Sequence, residues 1–345
     1  MLADKLDYVI GVDSHRDRHA FAVLAATGVV EAERALPANS DGYAEALALA
    51  AARAPGRRVW AIEGSGCYGA GLARFLAKRG EQVLEVERPK RSGSRGRLKS
   101  DPLDALRAAR AVLAGEQLAR PRAGEQRESL RALLTSREGA VAARRAALCQ
   151  LRSLIVLSPE PLRMQLRPLT RTALLRRCAV LRHSHAGEIN GQLLALRACA
   201  RRVLTLDQEA AELEQAIHAH VRELAPDLLN QPGIGAISAA QLLISWSHPG
   251  RIRSEAAFAR LAGAAPIPAS SGNTNRHRLD RGGDRQLNRA LHTIILSRRK
   301  HHPETIAYIQ RRQHEGKTTR EAIRCLKRYL ARNLYRTLET TPTPT

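Results

Sequence analysis

Aromatic residues are scarce, with Phe, Trp and Tyr together making up 3% of the 345 residues. A protein that holds single strands by stacking bases on ring faces needs more of them, so that mode does not dominate. The five cysteines, Cys67, Cys149, Cys178, Cys199 and Cys325, are odd in number and form no C-x-x-C pair. That spacing excludes a disulfide framework and a zinc ribbon. The pairs His183-x-His185, His218-x-His220 and His301-His302 lack cysteine partners at zinc-like spacing and read as surface or seam residues. No apolar run reaches the roughly eighteen residues of a membrane span. Gly64-Ser65-Gly66-Cys67-Tyr68-Gly69 lacks the Lys-Ser/Thr ending of a phosphate-binding Walker loop, which leaves nucleotide hydrolysis unsupported. Met1 to Asp7 carries acids and no charged-then-apolar leader, so a cytoplasmic protein is expected.

Negative charge is the other shortage. Lys and Arg number 56 against 33 Asp and Glu, a formal charge of +23. The excess is uneven: net +3 over residues 1–119, +7 over 120–250 and +13 over 251–345. A polyanion is the simplest partner for such a surface, because each cation that neutralises a phosphate releases condensed counterions. A merely solvated basic face is the alternative reading.

Patterning divides the chain. Tyr8 to Asp13, Ala20 to Ala26 and Val29 to Ala35 read as three consecutive strands. A helix over Gly42 to Arg53, a strand over Arg58 to Ile62, a helix over Tyr68 to Lys78, a strand over Gln82 to Val86 and a helix over Pro102 to Leu113 follow. This βββαβαβα order is that of the ribonuclease H-like fold. Between the last strand and helix, Arg88, Lys90, Arg91, Arg95, Arg97 and Lys99 crowd an acid-free stretch with two glycines. That stretch is expected to be a mobile loop that touches phosphate, or else a plain surface linker. From Glu125 the pattern turns helical. Leu130, Leu134, Arg137, Val141, Arg144, Leu148, Leu151 and Ile155 alternate four and three apart, as do Leu206, Ala210, Leu213, Ile217, His220 and Leu224. Both runs read as coiled-coil seams, the first interrupted by its two arginines. Further helices are expected over Gln286 to Lys300 and Arg320 to Leu338, and Pro232-Gly233-Ile234-Gly235 has the form of half a helix-hairpin-helix.

Four carboxylates stand out. Asp13 ends the first strand, Glu63 follows the fourth, and Asp101 and Asp104 open the last helix of the first region. In the expected topology the first and fourth strands are neighbours, which brings Asp13 and Glu63 face to face. Like charges so close repel unless a cation intervenes, and hard oxygen donors favour Mg²⁺. Asp101-Pro102-Leu103-Asp104 is equally what a helix N-terminus wants, an acid ahead of proline, so capping remains an alternative for that pair. A second candidate lies far away in sequence. Ser270-Ser271-Gly272 opens a loop followed by Arg276, Arg278 and Arg281. A serine hydroxyl is a weak nucleophile until a base or metal activates it, and nothing local supplies either.

With these residues assembled, the chain resembles the DEDD transposases of the insertion-sequence 110 family, relatives of pilin-gene-inverting recombinases. The resemblance is carried by Ile10-Gly11-Val12-Asp13-Ser14-His15-Arg16-Asp17, Ile62-Glu63-Gly64-Ser65-Gly66-Cys67-Tyr68, Lys99-Ser100-Asp101-Pro102-Leu103-Asp104-Ala105, Pro232-Gly233-Ile234-Gly235, and Ser271-Gly272 ahead of Arg281-Gly282-Gly283-Asp284. It implies a RuvC-like catalytic domain over residues 1–118, a helical coiled-coil region over 119–228 and a mainly helical transposase domain over 229–345. It further implies that Asp13, Glu63, Asp101 and Asp104 bind Mg²⁺, and that Ser271 attacks a DNA phosphate. The active site would be composite, joining the acids of one subunit to the serine of another in a homo-oligomer, dimer to tetramer. A bridge RNA pairing with donor and target DNA would choose the sequence, as in other RNA-guided systems. The implied protein is nucleoid-associated when on DNA and does not meet the membrane. Ser270 stands beside Ser271, and Asn273-Thr274-Asn275 follows Gly272 where many relatives have another serine. Two readings compete: a junction-resolving nuclease whose acids activate water, and a non-catalytic nucleic-acid-binding assembly protein.

Overall fold

A computed structural model describes residues 6–86, 101–115, 118–182, 190–269, 277–278, 280 and 282–340. The chain separates into two compact units, one formed by Met1–Gly124 with Ser247–Arg253, the other by Glu125–Trp246 with Ser254–Thr345.

The first unit is built on β1 (Tyr8–Ser14), β2 (Arg18–Ala25), β3 (Val30–Pro37), α1 (Ser40–Arg53), β4 (Arg58–Glu63), α2 (Ala70–Ala77), β5 (Val83–Val86), α3 (Asp101–Leu113) and the two-residue β6 (Leu118–Ala119). The eight elements expected from the sequence occur in the expected order, with β6 added. The sheet runs β3-β2-β1-β4-β5-β6, with β1 antiparallel to β2 and parallel to β4. This mixed sheet with helices on both faces is compatible with a ribonuclease H-like fold. Alternation along the strands divides its core in two, since successive side chains take opposite faces. Val9, Val59 and Ala61 pack with Ala105, Ala109 and Val112 of α3, whereas Ile10, Val12, Trp60 and Ile62 pack with Ala46 and Ala50 of α1 and Leu72 and Leu76 of α2. β3 is one of the two edge strands, and most of its residues are exposed.

The second unit begins with α4 (Glu125–Val156), followed by α5 (Glu160–Leu166), α6 (Arg171–Ala179) and α7 (Asn190–Leu224). α4 and α7 lie antiparallel: Gln126 bonds Glu223, Arg137 pairs with Glu214 at 2.7 Å and Arg144 with Asp207 at 2.7 Å. Along α7, the buried residues Leu196, Val203, Ala210, Ile217 and Leu224 recur every seven. The arginines that interrupt the α4 seam are therefore answered by acids of the same chain. α5 and α6 pack against the end of this pair, placing Leu166, Leu174, Leu175 and Cys178 beside Leu151, Ile155, Leu196 and Val203. The rest of the unit is α8 (Pro226–Leu229), α9 (Ala236–Trp246), α10 (Glu255–Leu261), a small hairpin of β7 (Ile267–Pro268) and β8 (His277–Arg278), α11 (Arg285–His301), α12 (Pro303–His314) and α13 (Thr319–Thr340). Gly233 adopts φ +75°, and a Cβ there would come 3.0 Å from the Ile294 carbonyl of α11, so the Pro232-Gly233 turn is packed on that helix.

Candidate active site

Asp13 and Glu63 are register partners across the parallel β1–β4 pair. Each lies an even number of residues beyond a side chain buried under α3, Val9 for Asp13 and Ala61 for Glu63, so alternation directs both acids to the α3 face. Parallel strands run about 4.8 Å apart, which makes the two carboxylates near neighbours at the carboxyl ends of adjacent strands. Asp13 is only 5% exposed. An ionised carboxylate so deeply placed requires partners or a cation. His15 supplies one contact, its Nε2 lying 3.3 Å from Asp13 Oδ2.

The turn after Asp13 is tied down on both sides. Ser14 donates its hydroxyl to the Glu63 carbonyl at 2.7 Å, joining the two strand ends. The His15 backbone N–H donates to His19 Nδ1 at 3.3 Å, and the fully buried His19 ring stacks on Tyr43 at 5.8 Å. Burial lowers the His19 pKa below the usual histidine range. After Glu63 the chain reverses through Gly64 at φ +73°, where a Cβ would come 3.1 Å from Ser14 Oγ and from Cys67 Sγ.

α3 reaches this edge because Gly11 leaves room for it. A Cβ on Gly11 would lie 1.9 Å from the Ala105 carbonyl oxygen, so any side chain there would push the helix away. Asp104 directly precedes Ala105 and so rides on the helix at this crossing. Its carboxylate is held by Arg107 one turn on, and no backbone N–H of the first turn is bonded to it among the described residues. Asp101 is the first residue of α3, and its side chain lies outside the described residues. Among the described residues no three His, Cys, Asp or Glu are gathered closely enough to hold a metal. Asp13 and Glu63, in register and one of them buried, are hard oxygen donors of the kind a divalent cation takes, while Asp104 on α3 is not gathered with them.

The serine candidate is framed rather than seen. Ser270 and Ser271 lie outside the described residues, as do Arg276 and Arg281, while Arg278 is exposed on β8. Arg88, Lys90, Arg91, Arg95, Arg97 and Lys99 also lie outside them. The hairpin that carries the serines is closed by Ile267 pairing with Arg278 and Pro268 with His277. Its C-terminal root is locked: Gly283 has φ +86°, a Cβ on it would meet the Leu261 carbonyl at 2.4 Å, and Asp284 N–H donates to that carbonyl at 2.6 Å. Asp284 then caps α11 through the Gln286 and Leu287 N–H groups, and its other oxygen accepts the Ser245 hydroxyl at 2.6 Å.

His15, His19 and Ser14 were not singled out from the sequence as site residues. Their position one to six residues after Asp13 is the available signal, but their contacts depend on the turn that only the fold creates.

Two family models match the chain, an IS110-type DEDD transposase over residues 10–158 and the transposase IS116/IS110/IS902 family over 225–310. The chain belongs to the IS110 family of transposases. Among its IS110-family relatives, the 43.6 kDa protein of insertion element IS110 from Streptomyces coelicolor is 33% identical over 119 residues, 34% of this chain and 29% of the relative. The 42 kDa protein of insertion element IS900 from Mycobacterium paratuberculosis is 31% identical over 147 residues, 41% of this chain and 37% of the relative. The matched stretches thus cover well under half of either relative. Of the two IS110-family segments, the first contains Asp13, Glu63, Asp101 and Asp104, and the second contains Ser271.

Proposed function

We propose that this chain is the DNA recombinase of an insertion sequence, cutting and rejoining strands through a covalent phosphoserine link. The observation that carries the reading is the register of Asp13 with Glu63 on the face that Gly11 opens to α3. Asp13, Glu63, Asp101 and Asp104 are the residues that would hold Mg²⁺, with Asp104 leaving Arg107 to do so. A divalent cation bound there supplies charge neutralisation at the reacting phosphate. Ser271 Oγ forms the new bond to phosphorus as a sugar oxygen departs. The resulting ester conserves the bond energy, so attack by another sugar hydroxyl rejoins DNA without an external energy source.

Following the resemblance to the IS110 family, the reading builds the active site from two copies of the chain, the acids of one and Ser271 of another, in a dimer or tetramer. The functional division follows residues 1–118, 119–228 and 229–345. A bridge RNA that pairs with donor and target DNA accounts for a strongly basic protein with few aromatics. Incubating wild type and Ser271→Ala with Mg²⁺, guide RNA and DNA tests the proposal. Protein-linked DNA is expected from wild type alone, and equal yields from both proteins would end the serine assignment.

A further inference from the structure

Positive charge on α13 falls into two kinds. Arg332 and Arg336 both reach the Glu255 carboxylate, which offsets one of their two charges and is itself held below the usual carboxylate range by them. Lys327, on the same helix, has no such partner. Its Nζ donates to the neutral Asn288 Oδ1 at 2.9 Å, and among the described residues no carboxylate is paired with it. The side chain is half-buried, and burial together with the nearby Arg324 lowers its pKa. Close to Lys327 and four residues beyond Asn288 on α11, His292 has a buried Nδ1 with no hydrogen-bond partner among the described residues. A partly desolvated cation with only neutral contacts is unfavourable unless an anion completes the site.

The location points to the anion. Asn288 donates its Nδ2 to the Ala262 carbonyl at 2.6 Å. A Cβ on the next residue, Gly263, would lie 2.9 Å from the Gly282 carbonyl and 3.6 Å from Asn288 Nδ2. Lys327 and Asn288 thus stand where the two ends of the serine hairpin come together. The chain around them, residues 251–345, carries a net +13.

We propose that Lys327, braced by Asn288, binds a backbone phosphate of duplex DNA at the root of the serine hairpin. The inference rests on the recombinase reading only for the choice of DNA as the polyanion. Lys327 is a substrate-positioning cation that keeps one phosphate in register with the hairpin, and the ammonium is poised because the protein leaves it uncompensated.

The test measures equilibrium binding of the full chain to a mixed-sequence DNA duplex, with EDTA present to prevent chemistry, across a series of KCl concentrations. Wild type, Lys327→Gln and Lys327→Arg are compared, because glutamine keeps a donor for Asn288 and removes only the charge. For Lys327→Gln the plot of log affinity against log salt should become shallower by about one unit, and Lys327→Arg should keep the wild-type slope. An unchanged slope in Lys327→Gln overturns the proposal. So does a slope lost equally in both variants, which marks a structural brace. So does a change seen only with single-stranded RNA of equal length, which assigns the cation to RNA. Failure of the phosphoserine reading would appear instead as equal adduct yields with Ser271→Ala, and these slopes would be unaffected by it.

Discussion

At the scale of single residues, Gly11 decides how closely α3 can approach β1. The Ala105 carbonyl oxygen occupies the space a Cβ would need, at 1.9 Å, and both partners are backbone, so neither can swing aside. Gly11→Ala should destabilise the first unit by on the order of 2–3 kcal/mol through forced displacement of α3, measurable as a lower urea midpoint. His19 yields a pH dependence of definite sign. Burial depresses its folded pKa below the unfolded value, so the unfolded chain binds the extra proton between the two. The stability contribution is complete above the unfolded pKa near 6.5 and is lost as pH falls through it towards the folded pKa. Thermal melts from neutral pH to about pH 5 should therefore show a steeper fall for wild type than for His19→Phe. Identical slopes would refute a neutral buried His19. Neither residue declared its role in the sequence: Gly11 lay inside an apolar strand, and His19 stood just ahead of the second expected strand, which began at Ala20. The pairing of Asp13 with Glu63 was legible because one ended the first expected strand and the other followed the fourth, which the element order makes its neighbour.

At the scale of elements, legibility followed periodicity. The strands of the sheet and the helices α11 and α13 carry strong local patterns, and their bounds fall close to those expected. β6 has two residues, too few for any period, and α12 falls between the expected helices ending at Lys300 and resuming at Arg320, where no helix was expected. The α4 seam shows what local spacing cannot supply. Arg137 and Arg144 interrupt it, and the local spacing names no partner for either. Their partners, Glu214 and Asp207, lie 77 and 63 residues away and become neighbours only when α7 folds back antiparallel. Asp207 also accepts from Arg171 at 2.8 Å, so one carboxylate answers guanidiniums from two helices. These groups are partly exposed, which limits their worth. Asp207→Ala should cost about 1 kcal/mol at low salt and less in molar salt, because solvent and ions screen such pairs. A cost that does not change with salt would mean that packing, not charge, holds α6 against the helical pair.

At the scale of the whole molecule, the proposed chemistry makes a demand on stoichiometry that a mixing experiment can read. Asp13→Ala and Ser271→Ala each remove one half of the proposed site, so neither protein alone should form protein-linked DNA. If carboxylates and serine come from different copies, a mixed dimer contains one site carrying both lesions and one site carrying neither. Random pairing of equal amounts makes half of the dimers mixed, and about a quarter of the wild-type adduct should return. If both groups come from the same copy, every site in the mixture keeps one lesion and nothing returns. The adduct in the mixture should also form on the Asp13→Ala chain, the one with its serine intact, and a size tag on either protein identifies it on a gel. Recovery on that chain places the nucleophile and the acids on separate subunits. No recovery, with subunit exchange demonstrated by the tags, requires each chain to build its site alone and removes the reason for assigning an oligomer to the reaction.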